Sequence, residues 1–371
     1  MKKKYIIFSI VTLVLLVSFL SYSKYLKTTN VCKEGVKPTK ITKGISMNFE
    51  QTAGAGDYKQ VTQSSWPTEG YKFNEELSKC ENGSEISWDD TKKAVIVSGN
   101  LADKCYVYFD IYQPKLAEYI KSQYTGTQGD NALYYHNSTL TNGAGDNSYR
   151  YAGASDSVNN YICLGSDATT CPDANLFRII GVFGDQTKVI RAKSIGNQKW
   201  DTNNSNTWSS SSLNTYLNGE YLTSLGTIAE KIATTTWKVG GRSSTYLYDV
   251  PTTAYQYEVG SSASTTTYDA KIGLMYVSDY GFAADQSGWT TKLDSYGSNS
   301  SKNWLYLGSF EWTISRNSDL ASSAFFVYST GYVNYYYVYI NSFAVRPVFN
   351  LESSVKYVSG SGSMSDPVRV N

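Results

Sequence analysis

AFFVYSTGYVNYYYVYINSF, Ala324–Phe343, decides how the C-terminal half of the chain is read, and six of its twenty residues are Tyr. Read with the period of two that a strand imposes, Val327, Ser329, Gly331 and Val333 share a small, apolar face. Phe326, Tyr328, Thr330, Tyr332 and Asn334 share the opposite face, which is large and mostly aromatic. Tyr335, Tyr336 and Tyr337 break the alternation before Val338, as a bulge or loop does, and Tyr339, Asn341, Ser342 and Phe343 follow. Strand-like runs flank the stretch at Glu311–Ile314 and Ala344–Leu351.

Working outward, Phe177–Val182 (FRIIGV) and Lys188–Ala192 (KVIRA) read as a hairpin turning at Gly184-Asp185. Ser209–Leu225 reads as a helix: the Ser run offers N-caps, and Leu213, Tyr216, Leu217, Tyr221 and Leu225 recur at helical spacing. Gly273–Asp279 (GLMYVSD) is apolar enough for a buried strand. Arg346, before Pro in an apolar run, reads as a buried cation paired with a carboxylate such as Glu311 or Asp279. One or two helices on many short antiparallel strands predict an α+β domain over 161–371.

The order FRIIGVF, TWSSSSLNTYLNG, KIGLMYVSD, NWLYLGSFEWTIS and AVRPVFNL resembles a family of exported proteins of low-GC Gram-positive and gut bacteria. That resemblance covers roughly 161–371 and implies a C-type lectin-like fold, shared with formylglycine-generating enzymes. Those enzymes hold copper with a pair of Cys, yet nothing from Pro172 to Asn371 is Cys or His. Neither Glu-Pro-Asn nor Trp-Asn-Asp, the calcium and sugar motifs of C-type lectins, occurs in the domain. The expectation is therefore no enzyme, no cofactor and no metal. The Tyr-, Ser- and Asn-rich stretch is similar to the variable positions of retroelement-diversified proteins of the same fold. It implies a ligand-binding surface of Phe326, Tyr328, Tyr332, Asn334, Tyr335, Tyr336, Tyr337, Tyr339, Asn341 and Phe343. Tyr offers large contact area with two torsions to freeze, and Ser and Asn add adaptable hydrogen bonds. The alternative for the same residues is a structural cross-strand aromatic ladder.

Toward the N-terminus, Met1–Lys4 is basic and Tyr5–Tyr22 carries no charge, so 1–27 reads as a cytoplasmic tip and a transmembrane helix. The rest of the chain is then extracellular; a cleaved signal peptide, which would make the protein secreted, is the competing reading. Residues 28–66 read as a stalk and 67–112 as a small all-β module with strands at Ile86–Trp88, Ala94–Val97 and Tyr106–Phe109. Residues 113–160 read as a short helix, Lys115–Tyr124, and a Gly/Asn/Ser-rich connector holding His136, which such a loop leaves exposed and inert.

Cys80 with Cys105, and Cys163 with Cys171 around LGSDATT, read as two disulfides, while Cys32 has no partner. No Cys-x-x-Cys occurs, and one His cannot complete a zinc site. Lys+Arg is 33 against Asp+Glu 32, without the basic excess that nucleic acid requires. The expected function is a membrane-anchored receptor or adhesin for a protein or glycan on another surface. The alternative is a structural or pilin-like envelope subunit.

Overall fold

The computed structural model describes residues 44–62, 70–89, 92, 94–100, 102–340 and 342–371. The chain divides into two compact units, Met1–Gln113 and Pro114–Asn371.

In the first unit the strands are β1 (Ile45–Glu50), β2 (Tyr58–Gln60), β3 (Tyr71–Cys80), β4 (Glu85–Asp89), β5 (Ala94–Ser98) and β6 (Cys105–Ile111). β2, β1, β6 and β3 form a sheet in that order, with β1 parallel to β6, and β4 pairs with β5 as a hairpin. Met47, Phe49, Val107 and Phe109 alternate inward along β1 and β6 and make a small core, with Phe49 stacked on Phe109 at 5.0 Å. The Cys80–Cys105 disulfide joins residues directly paired between β3 and β6. A core this small gains from such a staple. β1 and β2 correct the stalk: the part of 28–66 that is described, 44–62, supplies two strands and half of this core.

The second unit continues with β7 (Leu133–His136), β8 (Ser148–Tyr151), β9 (Tyr161–Cys163), β10 (Leu176–Phe183), β11 (Gln186–Arg191), β12 (Asn197–Gln198), β13 (Thr235–Lys238), β14 (Thr267–Ala270) and β15 (Ile272–Gly273). It ends with β16 (Glu311–Arg316), β17 (Ser323–Val327), β18 (Val333–Tyr337), β19 (Phe343–Ala344), β20 (Val348–Leu351), β21 (Tyr357–Ser359) and β22 (Val368–Val370). One sheet runs β15-β20-β11-β10-β9-β22-β21, with β8 joined to β10 and β7. A second runs β12-β19-β16-β17-β18, and β13 pairs with β14. A large core of Trp, Tyr, Phe, Leu, Ile and Val side chains fills this unit, beside a smaller cluster of Ala144, Ala152, Phe282 and Trp289. Cys163–Cys171 closes the second disulfide. The segment expected to be a connector belongs to this unit: Leu116–Ser122 is a helix that buries Leu116 and Ile120, and β7 and β8 extend the sheet.

The expected α+β, C-type lectin-like architecture is corrected. Small β-sheets dominate, with 34% strand against 22% helix. The longest α-helix among the described residues, Pro251–Glu258, has 8 residues. The physical reason lies in composition. Ser, Thr and Asn side chains compete for backbone hydrogen bonds, Gly costs backbone entropy, and together they keep helices short. The Ser209–Leu225 helix shows this. Ser211 caps it by accepting from the Asn214 N–H at 3.1 Å, but Leu217–Tyr221, around Asn218-Gly219, relaxes into a π turn. Gly273–Asp279 is a strand only at Ile272–Gly273, after which Val277–Phe282 is helical.

Single-pass anchoring is corrected as well. Among the described residues no helix is long and apolar enough to cross a membrane. Tyr5–Tyr22, on which that expectation rested, lies outside the described residues, as does Cys32.

Candidate functional site

The aromatic stretch does not run as one strand. β17 stops at Val327, and the chain turns through Tyr328–Tyr332, where the Gly331 N–H donates to the Tyr328 carbonyl and the Tyr328 N–H to the Tyr332 carbonyl, both at 2.8 Å. Gly331 sits at φ 98°, and a Cβ there would lie 2.7 Å from the Ser300 Cβ, so only Gly fits. The turn resets the alternation.

Phe326 and Phe343 are corrected as contact residues. Both are buried, 2% and 7% exposed, with rings 4.7 Å apart, and Trp312 packs against each. The cause is that β17 is covered on both faces: Phe326 lies in that cluster, while Phe325 meets Tyr248 and Tyr335 on the other side. Tyr328 and Tyr332 are half-buried and stacked on each other at 4.6 Å. Asn334 is half-buried and its Oδ1 accepts from the Tyr248 hydroxyl and the Tyr335 N–H, each at 2.8 Å. Tyr335 is half-buried too and stacks on Tyr248 at 6.0 Å, so Tyr328, Tyr332, Asn334 and Tyr335 are engaged in local packing.

Beyond them the picture changes. Tyr336, Tyr337 and Tyr339 are 41%, 47% and 38% exposed, and Ile340 beside them is 46% exposed. They continue from β18, the outermost strand of its sheet, which is paired with the fully buried β17. Asn341 lies outside the described residues.

The structure brings together a second set of residues that the sequence did not link, and it includes Asp279, named above only as a possible partner of Arg346. Arg150 on β8 is paired with Gly181 on β10, Gly181 with Lys188 on β11, and Lys188 with Asn350 on β20. Residues in register across neighbouring strands share a face, so these positions form one polar row, interrupted by a glycine. The glycine is required, because a Cβ at Gly181 would stand 2.2 Å from the Tyr149 carbonyl oxygen. Asp279, in the first turn of the Val277–Phe282 helix, meets this row. It accepts from Lys188 Nζ and lies 3.6 Å from Arg150, while its Oδ2 also accepts from the Tyr276 N–H at 2.9 Å. Arg150 also reaches Asp146 at 2.6 Å.

The row floors a cleft of about 240 Å³, walled by Thr235, Trp237 and Lys238 of β13 and by Phe183, Tyr255 and Tyr276. Its charges are held by rings as well as by each other: Arg150 lies 4.6 Å from the Phe183 centroid and Lys188 4.7 Å from that of Tyr276. Burial lowers the Lys188 pKa against the pull of Asp279. Burial pushes Asp146 up, but Arg150 and the Ser148 hydrogen bonds outweigh it and hold the carboxyl well below its usual range. Glu258, just behind, is raised by burial although it accepts from the Val277 and Ser278 N–H groups at 3.0 and 2.8 Å.

His136 is corrected from an exposed loop residue to a fully buried one on β7. Its Nδ1 accepts from the Ala144 N–H at 3.0 Å, and its ring sits edge-on to Phe282 at 4.9 Å. Burial and the nearby Arg150 hold its pKa well below 6.5, so the ring is neutral. Arg346 pairs with Glu311, through Nε at 2.7 Å and a second nitrogen at 2.8 Å.

Nothing in local sequence pattern marks Arg150, Lys188, Asp279 and Asn350 as partners, because strand register aligns three of them and the packing of the Val277–Phe282 helix brings in Asp279. The signal that could have pointed there is a charged residue inside an otherwise apolar strand, as Lys188 is in QTKVIR. Among the described residues no group of three or more His, Cys, Asp or Glu is placed to hold a metal ion. Residues 184–353, under half of the chain, match a family described as a domain of unknown function (DUF6273). No curated protein and no solved structure matches the chain.

Proposed function

We propose that this chain is a non-enzymatic recognition protein that works outside the cytoplasm and grips a protein partner through Tyr336, Tyr337, Tyr339 and Ile340. One observation carries the reading. Four large side chains in five consecutive positions are 38–47% exposed, on an edge whose neighbouring strand is buried on both faces. Large amphipathic rings on a rigid base give contact area at small entropic cost, which suits binding better than packing. The Cys80–Cys105 and Cys163–Cys171 disulfides fit an extracellular protein.

The test uses two defined probes, a random-peptide display library and a printed glycan array, against the full chain and a Tyr336→Ser/Tyr337→Ser/Tyr339→Ser variant. Peptide sequences retained by the wild type and lost by an equally stable variant support the reading. Retention that survives the triple substitution overturns it, and selective retention of glycans replaces the protein partner by a sugar. An edge strand can also pair with its own copy. A wild-type dimer in sedimentation that the triple variant cannot form would favour a structural subunit.

A further inference from the structure

We infer that the cleft over the Arg150–Lys188–Asn350 row is a second binding site, shaped for one small acidic, hydroxyl-bearing molecule of the size of a single acidic sugar. The inference is independent of the tyrosine edge. It starts from which polar groups in the cleft are already engaged. Arg150 is held by Ser148, Asp146 and Asp279, and Lys188 by Asp279. These groups set the field of the site and are not free to move.

Three lining residues keep a polar side-chain atom without a hydrogen-bond partner among the described residues: Ser278 through its Oγ, and the two that carry the argument, Asn350 and Lys238. Asn350 is only 9% exposed; its Nδ2 donates to the Thr235 hydroxyl at 3.0 Å, but its buried Oδ1 accepts from nothing among the described residues. A buried acceptor left open costs free energy, and a turn of the Asn350 amide toward the cleft would let a ligand hydroxyl or N–H restore it. Lys238, half-buried at the cleft wall, has no carboxylate within ion-pair distance among the described residues, although its backbone N–H is fixed by the Tyr276 hydroxyl at 2.9 Å. The lining thus sets three cations, Arg150, Lys188 and Lys238, against two carboxylates, Asp146 and Asp279. An anion is preferred over a neutral molecule or a cation.

Shape completes the argument. Phe183, Tyr255 and Tyr276 present ring surface beside the polar floor, which suits the alternating C–H and hydroxyl faces of a pyranose. About 240 Å³ accommodates one such ring and not a chain of them. A buried ion pair does not by itself stabilise a fold over an apolar replacement. A charged floor under an open cleft is therefore better accounted for by a ligand than by folding.

The experiment is calorimetric titration of the full chain with the sodium salts of glucuronate, galacturonate, N-acetylmuramate and N-acetylneuraminate, with glucose and acetate as controls. At least one acidic sugar should bind saturably, about tenfold or more tighter than glucose, the worth of one charge-assisted hydrogen bond. Lys238→Gln should lose about that factor while its melting temperature stays unchanged, since the residue pairs with no carboxylate. Asn350→Leu serves as a second variant, expected to abolish binding; its folding is checked by circular dichroism. The Tyr336→Ser/Tyr337→Ser/Tyr339→Ser variant should bind the sugar as the wild type does, which separates this site from the proposed edge. Failure of all four acids to bind overturns the inference. So does equal binding of glucose, or undiminished binding by Lys238→Gln.

Discussion

The tyrosine edge and the charged cleft lie in the same unit and are built by opposite rules. The edge is contiguous in sequence: Tyr336 and Tyr337 lie on the outermost strand, and Tyr339 and Ile340 in the turn that follows it. The cleft is contiguous only in space, since Arg150, Lys188, Asp279 and Asn350 come from separate elements and meet because strand register puts three of them in line. The edge can change without disturbing the sheet, whereas Arg150, Lys188, Asp146 and Asp279 are each another's counterion. Residues that bind by exposure are therefore cheap to mutate, and residues that bind by convergence are not.

The sharpest way to break that contrast is Asp279→Ala. It strips Lys188 of its carboxylate, leaves Arg150 with Asp146 alone and frees the Tyr276 N–H. Removing one partner of a buried pair costs about 3–5 kcal/mol. Chemical denaturation should show a loss of that size, and a loss below about 1 kcal/mol would mean that water already reaches the pair. Phe326→Ala divides the aromatic stretch itself. Because Phe326 is packed among Trp312, Phe343 and Tyr328, truncation should cost about 3–5 kcal/mol. Full stability in that variant would return Phe326 to the exposed set.

A smaller effect comes from His136, the single His of the chain. Its folded pKa is depressed below 6.5, so it contributes stability that is present above 6.5 and lost as pH falls from there toward the folded value. Asp146 and Arg150 are the charged groups facing it. Each pH unit in that window should remove up to about 1.4 kcal/mol. Glu258 and Glu311, both raised by burial, act in the opposite sense, so the measurement is a difference. The slope of unfolding free energy between pH 7 and 5 should flatten in His136→Gln relative to wild type. If the two slopes coincide, the ring binds its proton equally well in the folded and unfolded states and burial does not hold it neutral. Least costly of all are Tyr336→Ser and Tyr337→Ser, each expected to change stability by no more than about 0.5 kcal/mol in thermal melts. A drop of several degrees in either would mark the ring as part of the fold and close the contrast.

How far the sequence reached depended on the range of the interaction. The Phe177–Val182 and Lys188–Ala192 strands, both disulfide pairs and the Ser211 cap follow from neighbours a few residues apart or from cysteines that flank one segment. Arg346 reads as paired with a carboxylate because a buried guanidinium must be, and Glu311, one of the examples named, is the partner. The parity of Ala324–Phe343 misled because a turn at Gly331 interrupts it, and a period of two carries no phase across a turn. His136 misled because polar neighbours describe a loop's composition but not what folds over it.

The chain by itself determined its own punctuation: where strands begin, which cysteines can pair, and that an uncharged Tyr-rich run sits near the C-terminus. Only the tertiary structure decided which of those tyrosines see solvent, that 44–62 joins a sheet, and that Arg150, Lys188, Asp279 and Asn350 converge on one cleft. The reason is physical. Local preferences act over a few residues and are written in the sequence directly, whereas exposure and convergence depend on which distant strands become neighbours, and that is settled by the packing of the whole core.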